Sequence, residues 1–230
     1  MRTAPIAALA LLCSAASAHA QVLDFEGTTF DGAVGAPVGA YYAGVGGPNY
    51  GITFSPNAVF LCLNTPTVDC SATSRGGRGN PASQYTGMIY ESGGQVVVDH
   101  AAGFTDGFSM FYTLPYGQPA SVNVYGGFGG TGALLGSVTL AQTGLGTPPP
   151  CYGAVGIYCP FDPAAVAFAG TAHSVVVAGP DAEIAFDDLT FGSLTPGVTA
   201  PEPSTFGLLA AGAAGVLALA RRRTQDRRAR

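Results

Sequence analysis

Ser121-Val122-Asn123-Val124-Tyr125 alternates polar or small side chains with valines, and Gly126-Gly127-Phe128-Gly129-Gly130 follows directly. Leu134-Leu135-Gly136-Ser137-Val138-Thr139-Leu140 comes next. A period of two is that of a strand with one face in a core and one outside it. The glycines suit a loop that needs positive φ. Strand, glycine loop, strand is therefore the local unit, and the same punctuation recurs along the chain.

The chain of 230 residues has 34 glycines and 17 prolines. Turn signals fall about every eight to twelve residues between short runs rich in Val, Phe, Tyr and Thr, which predicts an all-β antiparallel sandwich, a jelly roll, over residues 21–195. Expected strands are 22–26, 51–55, 58–63, 85–91, 95–100, 104–114, 121–125, 134–140, 166–169, 173–178 and 183–191. Phe104, Phe108, Met110 and Tyr112 share one parity, which reads as one long strand. Residues 66–81 and Thr147-Pro148-Pro149-Pro150 read as surface loops, of the kind that carry ligands or nothing at all.

The last expected strand breaks its own pattern. Ile184 and Phe186 have one parity and Leu189 and Phe191 the other, with Asp187-Asp188 between them. A regular strand cannot bury both pairs on one face, so a β-bulge is expected at those aspartates.

Both ends read as targeting segments. Met1-Arg2, an apolar stretch from Pro5 to Ala16 and Ala18-His19-Ala20 make a signal peptide over 1–20, cleaved by signal peptidase after Ala20. A lipid attachment at Cys13 is the alternative, but Leu12 stands where that signal takes a small residue. At the other end, linker 196–205 contains Pro201-Glu202-Pro203, followed by apolar Phe206–Ala220 and Arg221-Arg222-Arg223. Fifteen residues make a helix of about 22 Å, short against the roughly 20 residues of an ordinary span. It crosses only a thinned bilayer, with the arginine-rich tail 221–230 on the cytoplasmic side. Gly207, Ala211 and Gly215 give it a small-residue stripe for close helix contact.

The order of Pro-Glu-Pro box, short apolar helix and arginine cluster resembles the PEP-CTERM sorting signal. That resemblance implies an exosortase-type membrane enzyme as partner. It also implies inner-membrane anchoring before processing, then release or attachment at the cell surface or in an exopolysaccharide matrix. An anchor that is never processed is the plainer alternative. Leu23-Asp24-Phe25-Glu26-Gly27, Gly170–Val175 and Ile184–Ser193 resemble exported proteins of this kind whose body is similar to carbohydrate-binding and galactose-binding-like jelly rolls. In such folds the terminal strands lie side by side and often hold a structural calcium ion. The resemblance thus implies Glu26 and Asp187 as calcium ligands, with Asp24 or Asp188 helping. Solvated acids at strand ends are the alternative.

Charge and cysteines bound the function further. Residues 21–200 hold two of the nine basic residues, Arg75 and Arg78, and twelve of the fourteen acids, a formal charge of 2 − 12 = −10. Such a body repels phosphate backbones, which excludes nucleic acid as a partner. Cys62 and Cys70, like Cys151 and Cys159, are separated by seven residues. In an exported chain this spacing predicts disulfides 62–70 and 151–159, each contributing about 2–3 kcal/mol; C-x7-C is not a zinc spacing.

No G-x-S-x-G, H-E-x-x-H or phosphate-binding loop is present. Asp99 and His100 are adjacent, hence on opposite faces of a strand, and His173 is expected exposed at a strand start. Glu91, Asp99, Asp106 and Asp162 are carboxylates without a context that singles out a hydrolytic pair. The sequence therefore reads as non-catalytic, with a structural, adhesive or saccharide-binding role; a secreted hydrolase of matrix polysaccharide is the alternative. Tyr41, Tyr42, Tyr50, Tyr116 and Tyr152, with Asn49 or Asn123, are the candidate sugar-contacting residues of a chain that has no Trp.

Overall fold

The computed structural model describes residues 20–26, 36–62, 86–90, 95–114, 119–144, 160–181 and 183–198. His19–Ala200 form one compact unit. The eleven strands are β1 (Gln21–Leu23), β2 (Ile52–Phe54), β3 (Ala58–Cys62), β4 (Thr86–Tyr90), β5 (Gln95–Phe104), β6 (Phe108–Thr113), β7 (Ala120–Tyr125), β8 (Leu134–Leu140), β9 (Asp162–Val166), β10 (Ala172–Ala178) and β11 (Ala185–Phe191). A single 3-10 turn, Phe128–Gly130, is the only helical element among the described residues. No helix among these residues is long and apolar enough to cross a membrane.

The strands form two antiparallel sheets, as the alternation and turn spacing predict. One has the order β3-β4-β11-β6-β9, with β1 also on β11; the other is β2-β5-β10-β7-β8. The core between them takes Leu23, Phe60, Phe108, Met110, Tyr112, Phe186, Leu189 and Phe191 from the first sheet. Ile52, Phe54, Val96, Val98, Val122, Val124, Val175 and Val177 come from the second. Each large side chain removed from water in this way stabilises the fold by about 1.5–3 kcal/mol.

The expected bulge is present. Asp187 pairs with Phe111 and Thr190 with Ser109, so three steps on β11 match two on β6. Asp188 takes the left-handed conformation, φ 50°, which Asp tolerates better than most residues. The bulge falls where β11 changes its other neighbour: Ala185 and Phe186 pair with β4, whereas Leu189 to Phe191 pair with β1.

Two strand expectations are corrected. Phe104 ends β5 rather than opening β6, and the turn Thr105-Asp106-Gly107 carries the chain from the five-stranded to the six-stranded sheet. Asp106 at φ 71° and Gly107 at φ 149° make that turn. Phe108 is four positions after Phe104, an even step, so the parity survives the turn and conceals it. The strand expected at 166–169 instead runs from Asp162 to Val166. Among the described residues it pairs only with β6, and Pro163, lacking an N–H, is tolerated on such an edge.

Candidate functional site

Two places in the fold gather polar and aromatic groups. The first is the junction of β1 with the β11 bulge. Asp24 and Phe25 leave β1 just after Leu23 pairs with Leu189. Phe25, at φ 54°, turns its ring into the core. There it meets Tyr42, Phe54 and Phe60 edge-on, with centroids 5.7, 6.2 and 6.2 Å away. Tyr42 is buried, and Tyr50 stacks on it at 6.2 Å. Burial raises the Tyr42 phenol far above its usual range, and the Asp24 carboxylate, Tyr41, Asp187 and Tyr50 push the same way in that order.

Of the four carboxylates expected to hold calcium, Asp187 and Asp188 lie on β11, whereas Asp24 and Glu26 follow β1, which ends at Leu23 rather than at Glu26. Asp24 Oδ1 accepts the Glu26 N–H at 3.2 Å, and buried Asp187 Oδ1 accepts the Asp188 N–H at 2.8 Å. Asp188 packs against Gly197, where an added Cβ would lie 3.0 Å from Oδ2. Calcium takes six to eight oxygens, and no three His, Cys, Asp or Glu stand together as a metal site among the described residues. The Asp24 and Asp187 bonds hold the backbone of the turn and of the bulge.

The tyrosine platform is also corrected. Tyr42 is a core residue, and Tyr41 packs on Phe60 at 5.6 Å and beneath Gly47, so neither opens a flat face to solvent. Tyr50 is half-exposed, while Tyr116 and Tyr152 lie outside the described residues. Asn49 Oδ1 accepts the Gly51 N–H ahead of β2, whereas Asn123 stands on β7. β5 and β10 separate β2 from β7, so the sheet does not bring the two asparagines together.

The second place is the outer face of the five-stranded sheet. Val97, Val176, Asn123 and Ser137 stand in one row across β5, β10, β7 and β8. The next row is Thr53, Asp99, Ser174, Tyr125 and Leu134. Ser137 Oγ donates to Asn123 Oδ1 at 2.6 Å, and Asn123 Nδ2 donates to Ser121 Oγ at 3.2 Å. Asp99 Oδ1 accepts the Gly129 N–H at 2.7 Å. Ser174 Oγ accepts the Gly130 N–H at 3.0 Å and donates to the Gly127 carbonyl at 2.5 Å.

Asp99 and His100 do point to opposite faces, as adjacency requires. His100 is not at a strand end: β5 continues to Phe104, and the imidazole sits in the core against Phe191 at 5.4 Å and Phe104 at 5.8 Å. Its Nδ1 is buried without a hydrogen-bond partner. Burial first, and His173 second, lower its pKa, against an opposing backbone hydrogen bond. His173 is half-buried under Phe128 at 4.8 Å, with Nδ1 3.4 Å from the His100 carbonyl.

Phe128 is the residue that sequence reading passed over. It is 51% exposed, and an aromatic centred between two Gly-Gly pairs was the available signal. Cys62 ends β3, but its side chain and Cys70, Cys151 and Cys159 lie outside the described residues, so the two disulfides do too. The same holds for Glu91, the signal peptide, Pro201, Glu202, Pro203, the apolar segment and Arg221 to Arg223.

Comparison with known proteins bears on the C-terminus most directly. Residues 199–223 match the PEP-CTERM protein-sorting motif, so the chain carries that motif. No curated protein matches the chain. Among solved structures it is similar to a glycoside hydrolase family 43 arabinoxylan arabinofuranohydrolase from Bacillus subtilis, crystallised in complex with cellotetraose. Identity is 16% and the TM-score 0.34, over 63% of this chain and 27% of that one. The chain thus spans about a quarter of that enzyme's length.

Proposed function

We propose that this exported protein is a non-catalytic saccharide-binding β-sandwich of the cell surface or exopolysaccharide matrix, presented through the outer face of its five-stranded sheet. Export and processing by an exosortase at the membrane follow from the sorting motif itself. The observation that carries the rest is the Ser121–Asn123–Ser137 hydrogen-bonded row, which faces outward beside Tyr125. Its amide and hydroxyls offer both donors and acceptors, as a sugar's hydroxyls require. The acidic, lysine-free body favours a neutral polymer over a polyanion.

A non-catalytic role has support in the described histidines. His100 is enclosed by phenylalanines, and His173 packs under Phe128 with Nδ1 toward a backbone carbonyl. Neither is placed beside a serine hydroxyl by any hydrogen bond among the described residues.

Native gels cast with galactomannan, xyloglucan or laminarin test the proposal, with reducing ends assayed in the same samples. Retarded migration without release of reducing ends is expected. Steady release of reducing sugar would replace the proposal with the hydrolase reading.

A further inference from the structure

The loop joining β7 to β8 is held with more care than its place in the fold requires. Gly126 N–H donates to the Ala133 carbonyl at 2.9 Å, and Gly127 N–H donates to the Thr131 carbonyl at 3.0 Å. Thr131 Oγ1 closes the turn onto the Phe128 carbonyl at 2.7 Å. From the sheet below, the Asp99 carboxylate takes the Gly129 N–H and the Ser174 hydroxyl takes that of Gly130. Gly129, Gly130 and Gly132 have φ of 65°, 71° and 79°. A Cβ at Gly130 would come within 2.7 Å of Val176 Cγ2, and one at Gly127 within 2.9 Å of the Thr131 carbonyl oxygen. Only glycine fits at either point.

Ordering a loop opposes folding by about 1–2 kcal/mol per residue. Here the ordered loop holds a phenylalanine whose ring stays half in water, so burial of Phe128 does not offset that ordering. Singly exposed apolar residues are ordinary. A ring fixed from both flanks, backed on one side by His173 and open elsewhere, is a preorganised contact surface. Its neighbours are the polar row: Gly130 sits on Val176, which pairs with Asn123, which pairs with Ser137. Adjacent strands are about 4.8 Å apart, so Gly130, two residues from the ring, stands about one strand from Asn123 and two from Ser137.

Resting on the saccharide-binding reading above, we infer that Phe128 is the stacking platform of the site and that the ligand is a neutral saccharide. One sugar lays its C–H face on the open side of the Phe128 ring, and the continuing chain hydrogen-bonds along Asn123 and Ser137. A sugar has an apolar face and a hydroxyl rim, which matches a ring beside amide and hydroxyl groups. Asp99 beneath the loop and the absence of Lys and Arg among the described residues disfavour uronic acids and anionic lipid surfaces.

The test uses the full chain in detergent, in native gels containing galactomannan, xyloglucan, laminarin or alginate. The native chain is expected to be retarded by at least one neutral polymer and not by alginate. Phe128→Ala should weaken that retention roughly tenfold or more, as loss of a central aromatic contact does. Its melting midpoint should stay within about 2 °C, because an exposed side chain contributes little to stability. Phe128→Trp should keep retention and, in a chain with no other Trp, change its emission when the retaining polymer is added. Retention of Phe128→Ala equal to the native chain, or silent emission from a retained Phe128→Trp, refutes the platform while leaving saccharide binding intact. No retardation of the native chain by any polymer refutes both, and retention by alginate alone refutes the neutral ligand.

Discussion

The two sheets treat their outer faces differently. On the five-stranded sheet, β7 alternates as its sequence does: Ala120, Val122 and Val124 are buried, and Ser121, Asn123 and Tyr125 are half-exposed. On the six-stranded sheet, Ser109, Thr113, Ala185, Asp187 and Thr190 all face away from the central core yet are fully buried. Chain outside the sheet covers part of that face. Thr143 Oγ1 pairs with Thr113 Oγ1 at 3.2 Å, and the Gly197 N–H reaches Thr190 Oγ1 at 3.0 Å. Leu194 packs on Gly107. Among the described residues, one outer face is covered in part by the chain itself, and the other stays half-exposed along β7.

Two serines sharpen this contrast most strongly. Ser174 and Ser109 are both fully buried, each on the outer side of its sheet. Ser174 makes two hydrogen bonds to the glycine loop, whereas Ser109 Oγ has no partner. Ser174→Ala is expected to lower unfolding free energy by about 1–2 kcal/mol, because it strands the loop's polar groups. Ser109→Ala removes an unsatisfied hydroxyl and is expected to leave stability unchanged or raise it by up to about 1 kcal/mol. Urea denaturation of both variants decides. Equal losses would mean that the two faces are held in the same way.

A smaller effect concerns pH. Burial lowers the His100 pKa below the ordinary value near 6.5, so the folded chain binds its proton less readily than the unfolded chain. Stability from neutral His100 is fully present above pH about 6.5 and declines as pH falls toward the lower folded value. Melting between pH 7.5 and 5 should show this decline, and His100→Phe should flatten it. An unchanged slope in that variant would assign the pH dependence elsewhere.

Much of this was legible in the sequence because period two is a strong signal. β7 and β8 follow from their alternation and glycine loop. The β11 bulge follows from the parity switch across Asp187-Asp188, since no straight strand can bury both flanking pairs. The turn at 105–107 was hidden because the step of four from Phe104 to Phe108 preserves parity, and β9 because Asp162-Pro163 reads as loop. Burial of Tyr42 was not legible either: tyrosine suits surface and core equally, and only the Phe25 turn into the core decides between them. The pairing of β1 with β11 brings Asp24 and Asp187 to the same junction, where each carboxylate accepts a neighbouring backbone N–H.

Amide hydrogen exchange of the full chain, with and without a galactomannan oligosaccharide that retards it, tests the central claim most directly. Protection is predicted across residues 121–137, at the β7–β8 hairpin, with no change across 108–113 and 185–191 on the closed sheet. Protection confined to the 41–50 loop, or to β6 and β11, would contradict the assignment of the five-stranded face as the one that meets the ligand.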